Sequence, residues 1–317
     1  MAVIVVDHIN KTYKNDKKIQ VGVSDISFSV DKGEIFGLIG PDGAGKTTLI
    51  RVLTTLLLAD SGTASIDGHD VVKDYKIIRN SIGYMPGRFS LYQDLSVEEN
   101  LNFFATAFKT TVAENYNLIK EIYVQIEPFK TRRAGKLSGG MKQKLALCCA
   151  LVHKPSVLFL DEPTTGVDAI SRREFWEMLQ RLKKQGITIL VSTPYMDEAN
   201  LCDRIALIQG GKILVIDTPE EIKHNYKRAL WAIKSSDMFK SLVDLRTFDS
   251  TLSCFSFGDV HHLSVRDNTI TKETILNFLK EKGHTNIDVQ PISANIEDCF
   301  MELMTKTTPT NNLQVHV

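Results

Sequence analysis

Eight residues, GPDGAGKT (Gly40–Thr47), constrain this chain more than any other stretch. They fit the spacing G-x-x-x-x-G-K-[ST], follow the strand-like run EIFGLIG (Glu34–Gly40) and open a helical pattern, which is the context that gives the spacing meaning. In such a loop, backbone N–H groups converge on phosphate oxygens, and glycines let the backbone come close. Gly40, Pro41, Asp42, Gly43, Ala44 and Gly45 are read as the cradle. Lys46 is read as the cation for β- and γ-phosphates, and the Thr47 hydroxyl as a Mg²⁺ ligand supported by Thr48. A glycine-rich turn with no ligand is the bland alternative; the strand before it and the helix after it argue against that.

A second stretch, VLFLDEP (Val157–Pro163), is an apolar strand ending in two carboxylates. Asp161 is placed to hold Mg²⁺ and Glu162 to polarise an attacking water. By itself the pair also suits a helix N-terminus; beside a phosphate loop, the catalytic reading is the stronger one.

The organisation supports an α/β class. EIFGLIG, VLFLD, TILVST (Thr188–Thr193) and RIALIQGGKIL (Arg204–Leu214) are short apolar runs of the kind buried on both faces of a parallel sheet, the last with a hairpin turn at GGK. From Ile4 to about Asp217 strands and helices are expected to alternate. Val97 to Val152 reads as a helical insertion. Residues 1–222 are read as one domain and 223–305 as a second, small α+β domain. Its order β-α-β-β-α-β is that of the ferredoxin-like split motif. Residues 306–317, TKTTPTNNLQVHV apart from its first residue, read as a disordered tail.

The 317 residues carry 38 Lys+Arg against 38 Asp+Glu, so no overall field draws nucleic acid or an acidic membrane. No apolar run approaches the ~18 residues of a membrane span, and the N-terminus lacks the features of a signal peptide. A cytoplasmic chain is expected. Its five cysteines, Cys148, Cys149, Cys202, Cys254 and Cys299, include no C-x-x-C pair and read as structural thiols of a reducing compartment. His261 and His262, adjacent in a predicted strand, face opposite sides and are expected to be exposed.

LSGGMKQK (Leu137–Lys144) resembles the signature of the ATP-binding cassette (ABC) proteins. The resemblance runs from about Val3 to Asp217, with its motifs in order. It implies a P-loop NTPase (ABC ATPase) core with a helical subdomain, ATP and Mg²⁺ as ligands, and Glu162 and Lys46 as catalytic residues. It also implies that Ser138, Gly139 and Gly140 cover the γ-phosphate held by a second cassette. Asp168, in TTGVDAIS, would communicate across that dimer, and Tyr13, in NKTYK, would lie under adenine. ADSGTASIDGHDV, IGYMP, TPEEI and NIEDCFMELM look most like bacterial exporter ATPases with a C-terminal accessory domain, peripheral at the inner face of the membrane and partnered by separate permease subunits. The alternative is a soluble, non-transport ABC protein acting as a nucleotide-dependent regulator. Two cassettes in one chain or long coiled-coil inserts would favour it, and neither is seen; no nucleic-acid partner is expected.

Two positions depart from the family's pattern. Gly87 stands after YMP where a glutamine contacts metal and water, and Pro194 stands after ST where a histidine contacts the γ-phosphate. Proline offers neither ring nitrogens nor a backbone N–H; Tyr195 beside it has a hydroxyl to donate. Both changes fall on the ATP held by this chain, while its signature is intact. The expectation is a site that binds MgATP and turns it over slowly.

Overall fold

The computed structural model describes residues 1–15 and 18–307. The chain divides into two compact units, Met1–Pro219 and Glu220 onward.

The first unit begins with two long strands, β1 (Ala2–Asn15) and β2 (Lys18–Asp31), paired antiparallel. β3 (Ile35–Ile39) leads through the glycine loop into α1 (Lys46–Leu53). β4 (Ser61–Ile66), β5 (His69–Asp70), α2 (Tyr75–Ser81) and β6 (Ile82–Met85) follow. The helices α3 (Val97–Ala107), α4 (Tyr116–Tyr123) and α5 (Gly139–Leu151) form the expected helical insertion. Then come β7 (Val157–Asp161), α6 (Ala169–Lys184), β8 (Thr188–Thr193), β9 (Arg204–Gln209) and β10 (Lys212–Asp217); α7 (Pro219–His224) begins at the last residue of this unit and runs into the second.

The six-stranded sheet has the order β10-β9-β3-β8-β7-β6, parallel except for β10 at its edge. Every residue of β3, β7 and β8 is buried, which explains their unbroken apolar character. Ile39 pairs with Thr193 and Asp161 with Ser192, so the carboxyl ends of these strands lie side by side. Ligands of open α/β sheets gather at that edge.

The first 70 residues depart from simple alternation. β1, β2, β4 and β5 build a separate antiparallel sheet of order β2-β1-β4-β5. Ile4, Ile26 and Ile66 from this sheet share one core with Leu49, Ile50 and Leu53 of α1 and with Phe36 and Leu38 of the parallel sheet. The apolar α1 is therefore covered by two sheets, one of which carries Tyr13.

The second unit has β11 (Leu230–Lys234), α8 (Met238–Arg246), β12 (Thr251–Phe257), β13 (Val260–Val265), α9 (Lys272–Glu281), β14 (Asp288–Pro291) and α10 (Ile296–Thr307). Its antiparallel sheet has the order β12-β13-β11-β14, the strand order of the ferredoxin-like motif. Ile233, Leu245, Leu263, Val265, Ile275, Leu279 and Val289 form a core of its own. Two expectations are corrected or bounded here. His261 and His262 do face opposite sides, but neither is exposed. His261 is 2% exposed with Nε2 2.7 Å from the Met238 carbonyl of α8, and His262 Nδ1 lies 2.8 Å from Asp298 Oδ1 of α10. Helices on both faces of the sheet cover them. Of the tail read at 306–317, Lys306 and Thr307 end α10, and 308–317 lie outside the described residues.

All five cysteines are unpaired and buried. Burial pushes their thiols up, Cys254 and Cys299 to about 12.

Candidate active site

The glycine loop is shaped by what presses on it. A Cβ on Gly40 would lie 2.2 Å from the Ile208 carbonyl oxygen, and one on Gly45 2.3 Å from that of Gly22. Gly45, at φ 106, is also the N-cap of α1, a backbone that L side chains avoid. The Gly40 N–H donates to the Thr193 carbonyl at 3.3 Å, and the Ala44 carbonyl accepts from Gly211 N at 3.0 Å. The β9–β10 turn and β2 thus hold the loop from behind. On its other side, Gly43–Thr48 line a cleft of about 230 Å³ with Tyr13, Gln20 and Glu162.

Lys46 is 2% exposed at its side chain. Its ammonium donates to the carbonyls of Gly40 at 2.7 Å and Pro41 at 3.0 Å, and pairs with Glu162 Oε1 at 3.1 Å. Thr47 Oγ1 donates to Asp161 Oδ1 at 3.1 Å, and Ser192 Oγ to the same oxygen at 2.8 Å. The Glu162 N–H reaches Ser192 O at 3.1 Å and Ser192 Oγ at 3.0 Å. Glu162 sits at φ 49, a left-handed conformation that costs a residue with a side chain about 1–3 kcal/mol. Ser192 was not singled out from the sequence; its place as the β8 partner of Asp161 comes from strand pairing.

These groups suit the ligands the sequence suggests. Thr47 and Asp161 offer a pair of hard oxygens, not a cage, which is what a Mg²⁺ ion drawing its other ligands from phosphate and water requires. The buried ammonium of Lys46 faces the same cleft as the loop. Tyr13 OH lies 3.1 Å from Thr48 Oγ1, and a Cβ at Gly22 would come within 2.8 Å of the Tyr13 ring, so the aromatic is fixed at the cleft by a glycine across the hairpin.

The two departures, Gly87 and Pro194, do not line the phosphate-loop cleft but lie beside the strand ends that carry it. A Cβ on Gly87 would lie 2.9 Å from the Asp161 carbonyl oxygen and 3.8 Å from Glu162 Cβ. Gly87 is therefore not simply a lost side chain: its backbone packs on the strand end that carries both carboxylates. Pro194 follows Thr193, the partner of Gly40. Tyr195 does not point a free hydroxyl into this cleft; its ring lies against the Arg172 guanidinium, 4.8 Å from centroid to Cζ.

The signature residues lie elsewhere. Ser138 is the N-cap of α5, its hydroxyl accepting from Met141 N at 3.4 Å, and Ser138 and Gly139 are exposed. Gly140 packs on α6, where a Cβ would meet Ser171 Oγ at 2.8 Å. Asp168 caps α6, accepting from Ile170 N at 3.1 Å and Ser171 N at 3.0 Å, bonds that hold its carboxyl below the usual range. Among the described residues, none of Ser138, Gly139, Gly140 and Asp168 lines the phosphate-loop cleft. A second cleft of about 200 Å³ includes Gly87, Gly139, Thr165 and Glu162, so Glu162 borders both.

Comparison with known proteins gives the arrangement its family. The ABC transporter family profile matches residues 23–165. The chain is 39% identical over 316 residues to the Nod factor export ATP-binding protein I of Burkholderia orbicola (strain AU 1054), covering 96% of this chain and 98% of that one. This chain belongs to the ABC transporter ATP-binding proteins. It is also 37% identical over 305 residues to the probable multidrug ABC transporter ATP-binding protein YbhF of Escherichia coli (strain K12), covering 96% of this chain and 52% of that protein. It thus spans about half the length of that relative. A solved structure of an ATP-binding subunit of an ABC transporter superposes with a TM-score of 0.63 at 28% identity, over 71% of this chain and 93% of that one. The fold matched is the ABC ATPase cassette, in agreement with the fold expected from the phosphate loop and the signature.

Proposed function

We propose that this chain is the ATP-hydrolysing subunit of a bacterial exporter, working with separate membrane permease subunits and a second cassette. The observation that carries the reading is the convergence of Lys46, Thr47, Asp161 and Glu162 on one cleft, at the carboxyl ends of neighbouring parallel strands. Loop amides and Lys46 bind the phosphates of ATP. Thr47 and Asp161 would hold Mg²⁺, which would supply positive charge to the phosphates. Moving Lys46 to the phosphates separates it from Glu162, whose carboxylate then accepts the proton of an attacking water. Gly87 and Pro194 supply no polar side chain to that water, which supports slow turnover on ATP bound by this chain. Exposed Ser138 and Gly139 are available to a facing cassette.

A groove of about 260 Å³ lined by Leu56, Tyr84, Met85, Leu91, Phe104 and Phe108 adjoins the loop that carries Gly87. We take it as the docking place of an apolar permease segment, because it is continuous with that loop. No helix among the described residues is long and apolar enough to cross a membrane.

The reading is tested with Glu162→Gln. MgATP binding is expected to survive, while turnover falls by roughly 10²- to 10⁴-fold, the usual share of a general base. Unchanged turnover removes Glu162 from the chemistry. In a mixture with a competent second cassette, replacing Ser138 and Gly139 should depress the combined rate; an unaltered rate argues against a shared site.

A further inference from the structure

Glu198 lies in the tight helical turn Met196–Leu201 that follows β8, and its side chain is 2% exposed. A carboxylate so buried is costly unless donors match its oxygens. Arg172 Nε stands 3.7 Å away, beyond a hydrogen bond; that guanidinium also reaches Asp197 at 3.1 Å and lies against Tyr195. Two hydroxyls supply the match. Thr164 Oγ1 donates to Glu198 at 2.9 and 3.2 Å to its two oxygens, and Thr193 Oγ1 donates at 2.5 Å. The Thr193 hydroxyl also accepts from Tyr195 N at 3.0 Å, across Pro194.

The placement of those threonines gives the contact its meaning. Thr164 lies two residues beyond Glu162, past Pro163, which has no N–H to anchor. Thr193 ends β8, and its carbonyl accepts from Gly40 at the start of the phosphate loop. Glu162 needs bracing on both sides because its φ of 49 persists only where the surroundings over-determine it. Ser192 holds it upstream through its N–H. We propose that Glu198 is a positioning residue of the hydrolytic site: its carboxylate ties the segment leaving β7 to the segment leaving β8 and so holds Glu162 in line with the phosphate loop. The brace occupies the segment where Pro194 provides no polar side chain, and it works through two threonines. This rests on the ATPase reading above.

The test uses the full chain. Glu198→Gln keeps the side chain's size, removes the negative charge and turns one acceptor oxygen into an N–H donor, so the hydroxyl bonds lose their charge assistance and weaken. MgADP affinity and the KM for MgATP should be unchanged, while kcat falls by about 10-fold or more, as expected when a catalytic group is misplaced. The backbone amides of Glu162, Thr164, Thr165, Gly166, Thr193, Tyr195 and Met196 should exchange with solvent faster together, and those of 42–47 should not. Thr164→Val with Thr193→Val should reproduce both effects, and adding Glu198→Gln to that pair should change nothing more. The proposal is overturned if kcat and exchange in Glu198→Gln match the parent, if the two sets of changes add, or if MgADP binding weakens in step with kcat. A parent chain that binds MgATP without hydrolysing it sinks the ATPase reading instead, and the exchange comparison then decides the brace.

Discussion

Glu162 combines three properties that seldom meet in one residue. It is strained at φ 49, paired with a buried ammonium, and borders two clefts. Its surroundings set limits on repair of the site. At Gly87 the gap to the Asp161 carbonyl is too small for any Cβ. Gly87→Gln alone should therefore cost about 1–3 kcal/mol through overpacking. In thermal melts that is a fall of roughly 2–4 °C for each kcal/mol in a unit of this size. Turnover should not rise. A faster, equally stable variant would show that the loop yields without penalty. The phosphate loop was legible in the sequence from its spacing between a strand and a helix, and Asp161 and Glu162 from their place at the end of an apolar strand in a chain that carries such a loop. The sequence did not announce Ser192 or Glu198, whose partners are 30 or more positions away along the chain in Asp161 and Thr164. Nor did it tell a missing side chain at position 87 from a backbone that needs the space.

At the scale of elements, the runs buried on both faces were legible as strands, since nothing but a parallel sheet asks for four or five apolar residues in a row there. The hairpin of β1 and β2 was not. Bulges between Val6 and Ile9, and positive φ at His8 and Asp25, break the alternation that marks a half-buried strand. Asp60 fastens this hairpin to the rest of its sheet. Its carboxylate accepts from Lys11 Nζ at 2.7 Å and from Thr12 N and Oγ1 at 2.7 and 2.8 Å. The Lys11 bond first, then those from Thr12, hold its pKa down to about 2 from 3.8. The unfolded chain therefore takes up this proton before the folded one does. The contribution is whole above about pH 4 and is lost as pH falls toward 2. The melting temperatures of the parent and Asp60→Asn should differ at pH 5 to 7 and converge near pH 2. A constant difference across that range would mean that Asp60 acts through packing alone. In the second unit, Arg246 and Arg266 donate to the carbonyls of Cys254 and Thr251 on the edge strand β12, at 3.3 and 2.9 Å.

At the scale of the whole molecule, each unit has its own core, so damage can be confined. Leu263→Ala, at a fully buried position in the second unit, should cost about 2–5 kcal/mol there. Melting followed by calorimetry should show one transition moving down. Nucleotide binding, which we assign to residues of the first unit, should keep its affinity. Loss of binding in step with that transition would mean the units do not unfold separately. One property of the chain has a practical side. Its five thiols are all inside, and burial raises their pKa. Maleimide should leave the native chain unmodified and mark it quantitatively once denatured. A cysteine introduced at exposed Ser138 would then take a dye or spin label alone, so the distance between facing cassettes becomes measurable without first removing a single native thiol.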